Sequence, residues 1–167
     1  MGTYEKFGKL LAETLNEHIN DFDRLFSEGH FKIDKVNALK EWICFNMFII
    51  LQGIGAYFKD IKDIDKHKVG LLLDAFHNSC CDICTNKGAF ANSNELIEVL
   101  TLSRYPAYLE ALNDSSAGPL WRFGEEFCKR CGEDVSPATI VFASIYFTGG
   151  SIATKKFMKD LNIAKQL

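Results

Sequence analysis

Proline is scarce in this chain, with three residues in 167, so long helices can form without interruption. No basic segment followed by an apolar one opens the sequence. We therefore expect no signal peptide and a cytoplasmic protein with reduced thiols. Basic and acidic residues are interspersed and the formal net charge is -3, which argues against a nucleic-acid partner.

Catalytic and nucleotide-binding motifs are also missing. The sequence has no GxSxG, HExxH, P-loop or GxGxxG in its proper context. It has no pair of carboxylates on an apolar face, which is the pattern expected for acid–base catalysis. These absences favour a protein that is not an enzyme.

Charge is absent from one long stretch, which we expect to form the core. The seventeen residues from 42 to 58, WICFNMFIILQGIGAYF, contain no charged side chain. This run is too long for a buried strand, so it predicts a central helix over about 34–58. A membrane span is the rival interpretation, since seventeen helical residues reach roughly 25 Å. We expect no span, because the other predicted helices each have a polar face.

Amphipathic helices are predicted to cover this central helix. The clearest pattern runs from Tyr4 to Ser27, where apolar residues recur every three or four positions. A break is expected before Pro106, and Gly149 and Gly150 predict a close helix crossing inside the last helix. The chain therefore predicts a single all-α domain, residues 1–167, built as a bundle of six to seven helices. The other helices are predicted over residues 66–85, 92–104, 106–112, 119–131 and 136–161.

The six cysteines are the one set of residues in the sequence that suggests a binding site. The pairs Cys81 with Cys84 and Cys128 with Cys131 are CxxC steps, which place two thiols on one helical face. If the helices alternate in direction, both pairs lie at the same end of the bundle. They would then be able to share Zn²⁺ or an iron–sulfur cluster, with His77 as an alternative ligand.

Core packing is the other interpretation of the cysteines. Cysteine is among the most commonly buried residues, and the 43 residues between the two pairs exceed the spacing of compact zinc motifs. The sequence therefore predicts no cofactor, with zinc as the alternative.

Three hypotheses for function follow, of which we favour the first. It is a protein that acts through protein–protein contacts as a homodimer, because Ala143, Phe147 and Ile152 form a row with small residues between them. The second is a metal-binding protein that uses the four CxxC cysteines. The third is a carrier or sensor of a hydrophobic small molecule, since the helices carry more aromatic area than their contacts need. The aromatic residues concerned are Phe45, Phe48, Tyr57, Phe142, Tyr146 and Phe147.

Overall fold

The computed structural model describes residues 2–29, 31–114, 116–132 and 136–167. These residues form helices and turns with no strand, and seven of the α-helices contain seven residues or more. The predicted all-α bundle is confirmed. The elements are α1 (Thr3–Asn20), α2 (Phe22–Ser27), α3 (Lys35–Lys59), α4 (Lys66–Asn86), α5 (Ser93–Val99), a π-helical turn (Leu100–Arg104), α6 (Tyr105–Asn113), α7 (Pro119–Arg130), α8 (Pro137–Asp160) and α9 (Ile163–Gln166).

The central helix predicted from the uncharged run is α3. It begins where Asp34 accepts hydrogen bonds from the backbone N–H groups of Val36 and Asn37, each at 3.1 Å. Such a cap satisfies donors that have no partner within the helix. Every residue from 41 to 50 is buried. By length and composition α3 is apolar enough to cross a membrane, yet 78% of its most apolar window is buried inside the protein.

Glycines set the distance between α3 and α8. A Cβ atom on Gly53 would lie 2.5 Å from Cβ of Thr154, and one on Gly150 would lie 2.7 Å from Cγ2 of Ile49. Only glycine permits this approach. Since α8 continues unbroken through Gly149 and Gly150, the predicted close crossing is confirmed.

A second close contact joins α1 to α4. A Cβ on Gly8 would lie 2.5 Å from the backbone of Ala75, while Lys87 Nζ donates to Asn20 Oδ1 at 3.0 Å at the other end of the pair. Residue numbers rise together along both helices, so α1 and α4 run parallel to each other. Helix α3 lies between them in the chain and runs in the opposite direction.

Two groups of buried side chains flank α3. The first, which we name the α4-side core, joins residues of α1 and α4 to one side of α3 and includes Leu11, Leu15, Met47 and Phe76. The second, the α7-side core, joins α3 to α6, α7 and α8 and is largely aromatic. Phe45 and Phe127 lie at its centre, with their rings 4.1 Å apart.

The helix predicted over residues 4–27 is interrupted, which corrects that boundary. Helix α1 ends at Asn20, and α2 begins at Phe22 after a turn at Asp21. The interruption coincides with a contact from another helix, because the indole N–H of Trp42 donates to the carbonyl oxygen of His18 at 2.9 Å. In an uninterrupted helix that oxygen would accept from the N–H of Phe22.

The break predicted before Pro106 is also wrong. The chain stays helical there, and the N–H of Tyr105 bonds to the carbonyl oxygen of Leu100, five residues back. A proline has no N–H and its ring collides with the carbonyl four residues earlier. The wider π-helical turn accommodates the proline without ending the helix.

We predict opposite effects for alanine at two glycines of α3. Gly53→Ala should destabilise the protein by roughly 1–3 kcal/mol, because the new methyl group collides with Thr154. Gly55→Ala should stabilise it by about 0.5–1 kcal/mol, because no atom lies within 4 Å of the new Cβ and alanine favours the helix. Denaturant unfolding measures both. Equal changes in the free energy of unfolding would contradict the close crossing.

Candidate functional site

The CxxC cysteines lie at the same end of the bundle, as the alternation of helices predicts. Helix α4 runs antiparallel to α3, and so does α7, where Phe123 packs on Phe48 and Phe127 on Phe45. The C-terminal ends of α4 and α7 therefore point the same way. All six cysteines are buried.

The two pairs belong to different sides of α3. Cys81 and Cys84 lie in the α4-side core, whereas Cys131, which follows α7, lies in the α7-side core. Within the described ranges, no group of three or more His, Cys, Asp or Glu side chains is arranged to hold a metal ion. A site built from Cys81, Cys84, Cys128 and Cys131 remains a prediction that this placement does not favour.

Burial raises the pKa of the two predicted ligands on α4. That of Cys84 rises to about 12, and that of Cys81 also lies above its ordinary value. In the metal-free protein both are therefore thiols packed in the core. His77, the alternative ligand, has both ring nitrogens engaged, with Nδ1 2.8 Å from the Leu73 carbonyl oxygen and Nε2 3.1 Å from the Tyr105 hydroxyl.

A buried carboxylate on α3 forms a polar cluster that sequence reasoning missed. Glu41 is 2% exposed; its Oε1 accepts from the Tyr108 hydroxyl at 2.6 Å and its Oε2 from Arg104 Nε at 2.7 Å. Both oxygens are thus satisfied by side chains of the π-helical turn and α6. The cluster holds the π-helical turn and α6 against α3. Both oxygens of the Glu41 carboxylate are already occupied as acceptors.

An open groove lies between α1 and α8, and we name it the α1–α8 groove. It has a volume of about 610 Å³, within the range of pockets that hold small ligands. Its walls come from one face of each helix, and in the described part of the chain its only charged lining residue is Glu17. The lining consists of Thr14, Glu17, His18, Ile145, Tyr146, Gly149, Gly150, Ala153, Thr154 and Phe157.

One end of the groove carries a hydrogen-bonded pair of polar side chains. The Tyr146 hydroxyl lies 2.6 Å from Nδ1 of His18. Burial lowers the pKa of His18 and raises that of Tyr146, so both groups are neutral at pH 7. The pair offers a ligand polar atoms without placing a charge in an apolar site.

Charged cavities elsewhere are less suited to a ligand. One of about 620 Å³ lies between α6 and α7 and includes Arg122, Asp114 and Glu125 in its lining. Arg122 is already paired with Glu125 at 2.5 Å and with Asp114 at 3.3 Å. Binding there would have to replace existing ion pairs, whereas the α1–α8 groove is open and mostly apolar.

The aromatic residues predicted to line a ligand site do not share one pocket. Phe45 is buried in the α7-side core. Tyr146 lines the α1–α8 groove, whereas Phe48 and Tyr57 each line a different cavity. The other lining residues of the groove were not predicted, although His18 beside the apolar stripe of α1 and the Gly149–Gly150 step were the available signals.

The two half-buried histidines make stability depend on pH. Burial lowers the pKa of both His18 and His77 below their ordinary value near 6.5. As the pH falls below 6.5, the unfolded chain takes up protons that the folded chain does not, so the free energy of unfolding falls. We expect a decline between pH 7 and 5 in urea unfolding, with a smaller slope in the double variant His18→Gln/His77→Gln. A double variant with an unchanged slope would show that other groups carry the effect.

The comparisons with known proteins add no functional assignment. No protein-family model, curated protein or solved structure matches the chain. The geometry and chemistry of the α1–α8 groove are what indicate a function.

Proposed function

We propose that the protein binds a hydrophobic small molecule in the α1–α8 groove and acts as its carrier or sensor. The observation that carries this proposal is an open, mostly apolar groove of about 610 Å³ with one neutral polar pair at its end. Ligand sites combine these features: apolar walls give affinity, and a few polar atoms fix orientation.

The arrangement of helices explains why the groove is open. Helices α1 and α8 both pack on α3, and they meet each other at His18 and Tyr146. Beyond that contact α8 presents Gly149, Gly150 and Ala153, which are too small to fill the space beside α1. Helix α3 lies against the α8 wall of the groove, because Ile49 and Gly53 approach Gly150 and Thr154.

The lining favours a neutral and apolar occupant. Among the described residues, Glu17 is the only charged side chain that lines the groove, so a carboxylate or phosphate would find no cation in this lining to pair with. Removing an unpaired charge from water carries a large cost. An uncharged ring system or aliphatic chain gains from the same surroundings through burial of its surface.

Filling the groove should abolish binding. Gly149 lines it, and a Cβ at this position meets no atom within 4 Å, so Gly149→Leu adds volume without a collision in the free protein. We expect wild-type protein to bind one equivalent of the neutral probe N-phenyl-1-naphthylamine, measured by fluorescence titration. The variant should bind it at least about tenfold more weakly, a loss of ~1.4 kcal/mol.

Gly55→Leu is the matched control, since Gly55 is an exposed helical glycine of α3 outside the groove with the same open surroundings. It should bind the probe as wild type does. Equal affinity in wild type and Gly149→Leu would refute the groove as the site.

Self-association is the second candidate function, and a specific surface favours it. The row predicted for a dimer is not available as a whole, because Ala143 is buried and Phe147 packs on Phe123. A different row of α8 is exposed instead: Val141 at 49%, Ile145 at 67% and Ile152 at 62%. The partner that fits best is a second copy of this chain.

The symmetry of that row favours a second copy as the partner. Ile145 and Ile152 stand on either side of Gly149, where the surface is open. An antiparallel α8 from another copy, centred between Thr148 and Gly149, would place each Ile145 beside the other copy's Ile152. A two-fold interface requires such a self-complementary surface.

Light scattering tests the dimer. We expect a mass twice the 18.9 kDa of one chain, and a monomer for Ile152→Glu, because a buried carboxylate would have no partner. Leu102→Glu is the control, since Leu102 is 75% exposed on the π-helical turn, outside the α8 row. Wild-type protein of 18.9 kDa at all concentrations would reject this candidate.

A further inference from the structure

A further cavity lies where α8 and α9 meet the C-terminal end of α3, and we name it the α8–α9 cavity. Its volume of about 520 Å³ is within the range of small-molecule sites. It shares no lining residue with the α1–α8 groove. Its lining includes Tyr57, Ile61, Lys155, Lys159, Ala164 and Lys165.

The turn between α8 and α9 brings lysines of both helices to this cavity. Asn162 has a left-handed backbone with φ of 52°, which asparagine adopts more readily than most residues. The chain then returns to α3, where the N–H of Ala164 donates to the Tyr57 hydroxyl at 2.9 Å. Lys155 and Lys159 are four residues apart and so lie on one face of α8.

Positive charge exceeds negative charge in the lining. In the described part of the chain the lining holds three lysines and one carboxylate, Asp60, which pairs with Lys155 at 2.6 Å. Lys159 and Lys165 form no ion pair with any described residue. In the charged cavity between α6 and α7, by contrast, Arg122 is already paired. The α8–α9 cavity therefore keeps two cations for a ligand in a chain whose formal net charge is -3.

A buried hydroxyl adds a neutral donor to the same lining. Tyr57 is 7% exposed, and its oxygen accepts the N–H of Ala164. The hydroxyl proton has no acceptor among the described residues, so the group is able to donate a further hydrogen bond. The packing of α9 on α3 holds this donor in place, whereas the lysine side chains are able to move.

We propose that the α8–α9 cavity binds a small organic anion, whose carboxylate or phosphate group pairs with Lys159 and Lys165 while its apolar body lies against Ile61 and Ala164. The Tyr57 hydroxyl donates to the same anionic group. This site is independent of the α1–α8 groove, where the lining favours a neutral ligand. The two sites select ligands of different charge.

Two features select an organic anion. The ammonium group of a lysine is a point charge with several donors on a flexible stem, and it adjusts to either a carboxylate or a phosphate. The apolar surfaces of Tyr57, Ile61 and Ala164 favour a ligand that also buries hydrocarbon. An inorganic ion would pair with the lysines and leave this apolar surface uncovered.

Three naphthalene compounds test the charge requirement. The compounds 2-naphthoate and 2-naphthyl phosphate carry an anionic group, and methyl 2-naphthoate is the neutral analogue. At least one anion should shift the backbone amide signals of residues 162–165 in an NMR spectrum, and the ester should leave them in place. The anion with the higher affinity identifies the preferred group. Its binding should weaken as salt is added, because the lysines are partly or fully exposed.

The double variant Lys159→Gln/Lys165→Gln removes the two uncompensated charges at exposed positions. It should bind the preferred anion at least about fivefold more weakly in calorimetric titrations. Lys129→Gln/Lys156→Gln is the matched control, with the same change in net charge. Lys129 lines the cavity between α6 and α7, and Lys156 pairs with Asp160 outside the α8–α9 lining. The control should bind the anion as wild type does.

The outcomes separate this site from the α1–α8 groove. Signals of residues 162–165 that stay in place with both anions overturn the proposal, and so does an equal shift with the ester. Wild-type affinity in Lys159→Gln/Lys165→Gln, or an equal loss in the control, overturns it as well. Binding of the neutral probe N-phenyl-1-naphthylamine in the groove is measured independently, so failure of one site leaves the other standing.

Discussion

Residues 41 to 50 of α3 are buried on every side, so this helix has to be enclosed over its whole circumference. Burial of apolar surface is the main favourable contribution to folding, and α3 supplies much of it. The neighbouring helices reach α3 and one another through specific small residues. Gly53 and Gly150 bring α8 against α3, and Gly8 brings α1 against α4. The fold depends on these close approaches.

The same enclosure creates the groove. Helices α1 and α8 both lie on α3, and the small residues that let α8 approach α3 leave space beside α1. The two buried polar side chains of α3 then differ in what surrounds them. Glu41 has a donor on each oxygen, so it serves to hold the π-helical turn. Asn46 donates through Nδ2 to the carbonyl oxygen of Trp42, and its buried Oδ1 has no hydrogen-bond partner among the described residues.

Local features of this fold were predictable from the sequence because their causes are local. The central helix predicted over about 34–58 matches α3 to within a residue at either end, and Gly149 with Gly150 predicted the close crossing. The interruption of α1 at Asp21 was missed because Trp42, on another helix, supplies the hydrogen bond that accompanies it. At Pro106 the π-helical turn was missed because a wider turn and a broken helix are both compatible with proline.

The candidate site was much less predictable. His18 and Tyr146 are 128 residues apart and meet only in the folded chain. The cysteines also show that contacts between helices are hard to predict. The helix directions correctly placed both CxxC pairs at one end of the bundle. The sequence does not tell, however, that the two pairs lie in different cores on either side of α3.

Amide hydrogen exchange followed residue by residue tests the central claim, that α3 is the most protected element and the one around which the others assemble. The account predicts that amides from 43 to 58 exchange most slowly, with a free energy of opening equal to that of global unfolding. Amides of α3 that exchange faster than those of α1 and α4 would show that α3 opens while the rest stays folded, and would contradict it.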